Sequence, residues 1–528
     1  MSTSTQWQEQ SSGTEKFPQL DDSKRVIKDV DVEIVVPKDI LEEGSVDPVY
    51  QAKSRIISKA IQEIGMGRYQ TYLFHCAGFG AFAGSLWPAV ASLILGPVLA
   101  EFTFNGPFLP LALIVGKIVG ALFWSFGCDI WGRRWTFNLT LLVAGVFAVV
   151  AGGSPNFVAL ASLLAAVCFG SGGTLAIDGV VLLDLLPASH QYLLTLLSVW
   201  WSISQLVGTL VAWPLLANFS CPTTTTTPCT RSENMGWRYL LFALGGLQLF
   251  MWCIRFFLFK FLESPRYLIA VGKDTEAVRV VHELARFNRT TSTLTVEQLS
   301  GAGVVRVPFE GKGKVGLGDV VVRGAKNVGS LYRTKMLGLA TTLLLAVRGL
   351  ISLGTTLYGS FLPYMFIVRG LDFGDGSLYI TYRNLSIIAV VGIPSSFLAA
   401  WMVEWRSVGR KGTLAVSAAL TGATLLATTT SRTSNALLGW NCAYTFFGNM
   451  MLAVMYALSS EIFPAKYRGT GNGLVTTISF LFAIMAPVIA LYANIQTVAP
   501  VWIAGGLHVV AGFLTLLLPY EPRGRTSI

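Results

Sequence analysis

The sequence contains few charged residues for its length. Asp, Glu, Lys and Arg make up 13% of the 528 residues, whereas an average soluble protein carries about 25%. It also lacks the GxxxxGK[ST] loop of ATP-driven pumps, the HExxH zinc motif and any CxxC pair. We therefore expect no enzyme activity, no cofactor and no metal site, and the low charge argues against an ordinary soluble protein.

Apolar residues dominate the composition. They make up 53% of the chain, and the mean hydropathy is +0.58. A membrane-spanning helix needs about 20 predominantly apolar residues, and the chain contains twelve runs near that length. The sequence thus predicts an all-α membrane protein with twelve transmembrane helices, at residues 70–95, 108–128, 136–152, 157–183, 193–217, 238–262, 336–367, 378–403, 413–430, 436–459, 471–493 and 498–519.

Polar segments divide the chain around these runs. No cleavable signal peptide is visible, so we expect the first span to act as the insertion signal. The net charge of +10 is spread over loops, which favours contact with an anionic lipid surface over nucleic-acid binding. We predict a disordered cytoplasmic tail (1–48), a cytoplasmic amphipathic helix (49–69), a six-helix bundle (70–262), a cytoplasmic central loop (263–334), a second six-helix bundle (335–520) and a short cytoplasmic tail (521–528).

Basic residues in the short loops predict the orientation, because cytoplasmic loops carry an excess of Lys and Arg. Seven lie on one side, and three on the other: Arg133, Arg134, Arg406, Arg410, Lys411, Lys466 and Arg468 against Arg231, Arg369 and Arg432. Both termini are therefore expected in the cytoplasm, with the plasma membrane as the expected location. Cys221 and Cys229 then face outside, where an oxidising space would allow a disulfide. The sequon at Asn218 in the same loop is a candidate glycosylation site.

Two loop motifs recur at a fixed distance. Gly132 in the loop after the second span and Gly409 after the eighth are 277 positions apart, and so are Asp184 and Glu461 after the fourth and tenth spans. One offset at two distant loop pairs indicates a duplicated six-helix unit. Parallel halves of this kind are known in transporters.

These motifs resemble those of the major facilitator superfamily, in its sugar-porter-like branch, and in particular fungal transporters related to the synaptic-vesicle glycoproteins. The resemblance implies two six-helix bundles and a gating role for the loop charges, which would lock one half against the other. The alternative is that the arginines only set the topology. The residues concerned are Asp129, Gly132, Arg133, Arg134, Asp184, Glu263, Arg266, Glu404, Gly409, Arg410, Glu461 and Arg468.

Two cations stand inside predicted spans, Lys117 in the second and Arg348 in the seventh. An ionisable side chain at mid-membrane costs roughly 2.5–3.5 kcal/mol on insertion scales, which makes it a functional candidate. Because the two belong to opposite halves, we expect them to reach one cavity and bind an organic anion; alternatively, each pairs with a local acid or snorkels. Aromatic and amide residues are further candidates for lining this site: Trp201, Gln205, Tyr358 and Asn449.

Proton coupling has two candidate carriers. Fungal relatives are expected to place an acid near Gly84, but this chain has Ala83-Gly84-Ser85 there. His75 and Asp178 are the remaining candidates, and a histidine titrates in the range that suits proton exchange.

The sequence thus predicts a secondary active transporter that moves a small organic solute by alternating access. The favoured substrate is an organic anion or carboxylated specialised metabolite. The resemblance to the fungal transporters makes export plausible, but the sequence does not encode the direction. The alternatives are proton-coupled uptake of a sugar or polyol, and a nutrient sensor with a transporter fold that does not transport. We expect a monomer whose partners are the lipid bilayer, the solute and a coupling proton.

Overall fold

The computed structural model describes residues 48–131, 133–221, 229–304, 328–360, 362, 377–405, 407–463, 468–492 and 499–519. Within these residues, twelve helices are long and apolar enough to cross a membrane. The prediction of an all-α membrane protein with twelve spans is therefore confirmed. Both predicted tails lie outside the described residues, apart from Pro48.

Sixteen helices carry the argument. Helix α1 (Pro48–Ile64) precedes the membrane segments. The first six spans are α2 (Arg68–Glu101), α3 (Phe108–Trp131), α4 (Arg133–Gly152), α5 (Phe157–Leu185), α6 (Ala188–Phe219) and α7 (Gly236–Leu258). Three short helices follow: α8 (Pro265–Ala270), α9 (Asp274–Phe287) and α10 (Val296–Ser300). The last six spans are α11 (Lys335–Gly359), α12 (Leu378–Val403), α13 (Gly409–Thr430), α14 (Ser434–Ile462), α15 (Thr470–Tyr492) and α16 (Ala499–Leu516).

Helix α1 buries one apolar face on the helices of the central loop. Ile57 and Ile61 are at most 1% exposed, and they pack in one cluster with residues of α8 and α9. Lys53 forms an ion pair with Asp274 of α9. The predicted helix 49–69 is interrupted at Gly65, whose φ of +74° suits glycine and ends α1 before α2 begins.

The internal repeat is visible in how the spans begin. The side chain of Asn156 accepts a hydrogen bond from the Ala159 amide and caps α5. Thr433 does the same for the Ala436 amide at the start of α14. The two capping residues stand 277 positions apart, the same spacing as the loop motifs. Such caps satisfy amides that a helix leaves free, and they fix where a helix begins. The equivalent spans α5 and α14 therefore begin at equivalent residues.

Glycines allow close packing inside each bundle. Gly116 and Gly120 of α3 face the backbone of α5 with no room for a side chain. Gly145 of α4 lies against α7, and Gly422 of α13, 277 positions later, lies against α16. Small residues at these positions let helix backbones approach, which is how helices associate where no water drives them together.

The two bundles, α2–α7 and α11–α16, touch each other along α6 with α12 and α3 with α15. We call the end with the loop motifs the motif side and the end with Cys221 and Cys229 the disulfide side. Towards the motif side, the Ser198 and Ser396 hydroxyls are 2.9 Å apart. Towards the disulfide side, the Trp213 and Tyr379 ring centroids are 5.1 Å apart. The part of the chain that the structure describes therefore has contacts between the bundles on both sides.

Candidate translocation site

Lys117 lies in the middle of the membrane region and is already hydrogen-bonded. Its side chain belongs to α3, and only 8% of the residue is exposed. Its Nζ donates to the backbone carbonyl of Gly84 in α2 at 3.0 Å. The same ammonium lies 5.4 Å from the centroid of the Phe480 ring, which belongs to α15 of the opposite bundle. Lys117 thus lies at the contact between the bundles.

Arg348 of α11 is the second predicted cation. The next residue, Gly349, packs against Phe482 of α15, the helix that also carries Phe480 beside Lys117. The Nη1 atom of Arg348 is buried and has no hydrogen-bond partner among the described residues. No ion pair of Lys117 or Arg348 is seen in the described part of the chain. Arg348 therefore has a buried donor that no described residue uses.

Three other predicted residues lie along the contact between α6 and the second bundle. Trp201 of α6 lies 5.5 Å, centroid to centroid, from the Tyr456 ring of α14. The Asn449 amide donates to the Ser202 hydroxyl at 3.1 Å, and Ser202 donates to the Gly392 carbonyl at 3.0 Å. Because Gln205 follows Trp201 by one helical turn, it lies on the face of α6 that meets the second bundle.

Tyr358, the fourth predicted lining residue, lies elsewhere. It is 3% exposed, and its hydroxyl donates to the Asn441 side chain at 2.7 Å. Its ring packs on Tyr444, with centroids 5.1 Å apart. These contacts place Tyr358 in the packing between α11 and α14 of the second bundle.

A second charged site is buried inside the first bundle. Asp178 of α5 accepts a hydrogen bond from the Arg255 guanidinium of α7 at 2.7 Å, and both side chains are at most 2% exposed. The other carboxylate oxygen of Asp178 has no described partner. It lies against Gly80 of α2, where a side chain would collide with it. The Arg255 guanidinium also lies over the ring of Phe137 in α4, so four helices enclose the pair: α2, α4, α5 and α7.

The histidines differ in their surroundings. His75, the other predicted proton carrier, is exposed, and its ring lies 5.9 Å from that of Trp200. His508 of α16 is fully buried, with Nδ1 2.7 Å from the Ala504 carbonyl and Nε2 3.2 Å from the Thr355 hydroxyl. A neutral ring with the proton on Nδ1 satisfies both contacts, so His508 joins α16 to α11 in packing.

The motif side of the first bundle carries a compact ionic cluster. Arg133 pairs with Asp184, which also accepts from the Ser264 hydroxyl at 2.6 Å. Arg266 lies 3.8 Å from the other Asp184 oxygen, and burial lowers the pKa of its guanidinium. The Glu263 carboxylate accepts from the Arg133 amide at 3.3 Å, and from the Arg134 amide at 3.4 Å. A carboxylate is favourable there because the first amides of α4 are unpaired.

The second bundle repeats the central pair of this cluster. Arg410 forms an ion pair with Glu461, and Glu404 lies 3.9 Å from the same guanidinium. Arg410 and Glu461 stand 277 positions after Arg133 and Asp184. These two described pairs join spans of the same bundle, because each arginine lies at the start of a span beside the end of the next one. A role of these charges in locking one half against the other stays a prediction.

The remaining predicted motif residues take no part in the ion pairs described above. Arg134 is exposed, and Gly409, at φ +59°, forms the turn into α13. Gly132 and the side chains of Asp129 and Arg468 lie outside the described residues.

On the disulfide side, Cys221 and Cys229 are joined, with Cα atoms 6.5 Å apart. Asn218 is exposed, and its side-chain amide donates to the Pro214 carbonyl at 2.9 Å. Nearby, Glu101 at the end of α2 binds both terminal nitrogens of Arg238, at 2.6 and 2.9 Å. This bidentate pair fastens α2 to α7.

Sequence reasoning missed the partners in these buried pairs. Arg255 interrupts the apolar run of α7, and an arginine inside a span is a signal that could have identified it. Glu101 lies outside the predicted first span, 70–95, although it is the last residue of α2. His508 stands in an apolar run in the same way.

Comparisons with known families agree with this architecture. The family model described as "Sugar (and other) transporter" matches residues 108–299, and the Major Facilitator Superfamily model matches residues 344–527. A curated relative in Ceriporiopsis subvermispora, named MFS siderochrome iron transporter 1, is 56% identical over 93% of this chain and 95% of its own length. An uncharacterized MFS-type transporter of Schizosaccharomyces pombe is 42% identical over 93% and 92% of the two chains.

The fold is also found among solved structures. The xylose transporter XylE from E. coli, in a partially occluded inward-open conformation, superposes with a TM-score of 0.63. The match covers 87% of this chain and 99% of XylE at 15% sequence identity, and it bears on the fold alone. The predicted family is confirmed: this chain belongs to the major facilitator superfamily of membrane transporters.

Proposed function

We propose that this transporter carries a small organic anion by alternating access, with Arg348 as the residue that binds the anionic group. The substrate enters between the bundles and contacts α6, α11 and α14. The motif side faces the cytoplasm and both termini lie there. The plasma membrane is the proposed location.

The observation that carries this proposal is the unused donor of Arg348. A buried guanidinium nitrogen without a hydrogen bond is unfavourable, and Nη1 has no described partner. Lys117 adds a neighbouring positive charge but has its own partner in the Gly84 carbonyl. A carboxylate would satisfy Arg348 through charge-assisted hydrogen bonds, which are the strongest that a side chain makes. Arg348 is therefore the primary anion contact, and Lys117 supports it electrostatically.

Transport of labelled carboxylates into proteoliposomes tests the role of Arg348. We expect Arg348→Ala to raise KM and lower kcat/KM at least tenfold, since a hydrogen bond to a charged group is worth about 1.5–3 kcal/mol. Arg348→Lys should retain part of the activity, because it keeps the charge but loses the fork of donors.

The matched control is Arg383→Ala on α12. Arg383 is exposed and donates to the neighbouring Asn384 side chain at 3.1 Å, so its loss should leave kcat/KM unchanged. Equal transport by the Arg348→Ala and parent proteins would contradict the proposal. So would equal transport of an anion and its neutral amide analogue.

A second candidate substrate comes from the relative named as a siderochrome iron transporter, at 56% identity. The same proteoliposomes should therefore be offered a radioactive iron siderochrome beside the carboxylates and a neutral sugar. Uptake of the siderochrome iron alone would assign the site to that cargo. Uptake of the sugar alone would favour the sugar-porter alternative, and no flux of any solute would favour a sensor.

Coupling to a proton is proposed at Asp178. Its carboxylate is buried, has one oxygen without a described partner, and lies on a span that contacts the second bundle near Tyr456. Asp178→Asn should abolish uptake driven by a pH gradient but leave exchange of solute for solute intact. His75 is the weaker candidate, because it is exposed and its described ring contacts are with Phe74 and Trp200.

A further inference from the structure

Helix α2 has two internal prolines, and each leaves a backbone carbonyl without its usual partner. Pro88 and Pro97 both lie inside α2. Proline has no N–H, so the carbonyl four residues earlier loses its helical hydrogen bond. The carbonyls concerned are those of Gly84 and Leu93. In the membrane region, no bulk water is present to replace the missing donors.

Side chains from α3 and α12 supply the missing hydrogen bonds. Lys117 Nζ donates to the Gly84 carbonyl at 3.0 Å, from α3 of the same bundle. The Tyr382 hydroxyl donates to the Leu93 carbonyl at 3.0 Å, from α12 of the opposite bundle. Tyr382 is 2% exposed. The first bond can persist when the bundles move, whereas the second joins them.

The bond of Tyr382 lies on the disulfide side of the molecule. Tyr382 is in the second turn of α12, which begins on that side at Leu378. Its ring belongs to an apolar cluster that also contains Leu86, Val90 and Leu93 of α2. Separation of the bundles on this side would have to break the contact between Tyr382 and Leu93.

We propose that Tyr382 is a positioning residue for transport: its hydroxyl caps the carbonyl freed by Pro97 and thereby holds the disulfide side closed. When this side opens, water reaches the Leu93 carbonyl and replaces the tyrosine. In the closed state, loss of the hydroxyl leaves that carbonyl buried without a donor, which is unfavourable. Removing the hydroxyl therefore destabilises the closed state more than the open state. The inference rests on the proposed alternating access.

Labelling of a single cysteine at Gln205→Cys measures this opening without any substrate. Gln205 lies on the face of α6 that meets the second bundle, and the other cysteines outside the disulfide are replaced by alanine. A membrane-impermeant thiol reagent is added from the disulfide side. We expect Tyr382→Phe to raise the labelling rate roughly tenfold, as loss of a buried hydrogen bond implies. Tyr379→Phe on the same helix keeps the ring that packs on Trp213 and removes only the hydroxyl of an exposed residue, so it should leave the rate unchanged.

A double-mutant cycle with Pro97→Ala distinguishes this mechanism from general loosening. Alanine at position 97 restores the amide hydrogen that the Leu93 carbonyl lacks. Tyr382→Phe should then change labelling by less than about twofold in the Pro97→Ala background. An unchanged rate in Tyr382→Phe, or the same tenfold rise in both backgrounds, would overturn the proposal. Because no solute is used, failure here is separate from failure of anion transport.

Discussion

Several buried charges among the described residues form ion pairs with a neighbouring helix, and this decides what each can do. Asp178 with Arg255 and Glu101 with Arg238 each join two helices of the first bundle. A buried pair gains little over apolar residues of similar volume, but breaking one leaves a buried charge uncompensated. The contribution of such a pair to the free energy of unfolding is therefore measured by removing both partners as well as by removing one.

The Asp178–Arg255 pair gives a test of this argument. Arg255→Met alone should lower the free energy of unfolding by about 3–5 kcal/mol, because it leaves Asp178 buried without a partner. Asp178→Asn in the same chain should restore most of the loss. Apparent melting temperatures of the purified protein in detergent measure both effects.

The exposed pair of Lys260 and Glu283 is the control. Its charges are 3.3 Å apart, and the side chains are 71% and 38% exposed. Neutralising either residue should change the free energy of unfolding by less than about 1 kcal/mol. A double variant of Asp178 and Arg255 as unstable as Arg255→Met would contradict the argument.

Helix α1 is predicted from the sequence as an amphipathic helix, but the sequence does not predict what its apolar face packs against. It is joined to α2 by the short turn at Gly65, and it packs on α8 and α9 through isoleucines. Arg266 of α8 also donates to the Ser58 hydroxyl at 2.9 Å. The same arginine approaches Asp184, so α1 is connected to the ionic cluster on the motif side.

Docking of α1 should depend on its apolar face. Ile61→Glu would bury a carboxylate in the cluster, so we expect α1 to detach and its amide hydrogens to exchange at least tenfold faster. Glu63→Ala, on the exposed face of the same helix, should leave exchange unchanged. Hydrogen exchange followed by mass spectrometry measures this, and equal protection in both variants would show that the isoleucines do not hold α1.

Hydropathy predicted the spans well because it depends on local sequence. The repeat indicated how the spans divide into two halves. The predicted eighth span, 378–403, coincides with α12. The capping of Gly84 by Lys117 and of Leu93 by Tyr382 was not predictable in this way. Leu93 and Tyr382 are 289 positions apart, and no local pattern encodes the register between two helices. Lys117 could be recognised as unusual, but its partner could not.

At the scale of the whole molecule, hydroxyl and aromatic contacts join the two bundles. Towards the motif side these include Ser198 with Ser396 and Trp201 with Tyr456. Towards the disulfide side they include Tyr382 with Leu93 and Trp213 with Tyr379. Two sets of weak contacts at opposite ends suit a protein that exchanges one set for the other.

The Ser198–Ser396 contact should therefore favour closure of the motif side. Ser198→Ala removes a hydrogen bond worth about 1 kcal/mol. We expect labelling of Gln205→Cys from the motif side to rise roughly fivefold. Ser204→Ala is the control, because the Ser204 hydroxyl donates only to the Trp201 carbonyl of its own helix, at 2.7 Å. A rise of the same size in both variants would indicate general loosening of α6.

The placement of the motif ion pairs has an energetic consequence for turnover. Arg133 with Asp184 and Arg410 with Glu461 each travel as one unit with the bundle that contains them. A movement of one bundle against the other therefore separates neither of these two pairs, and the four ions in them need not be rehydrated and stripped of water again for that movement.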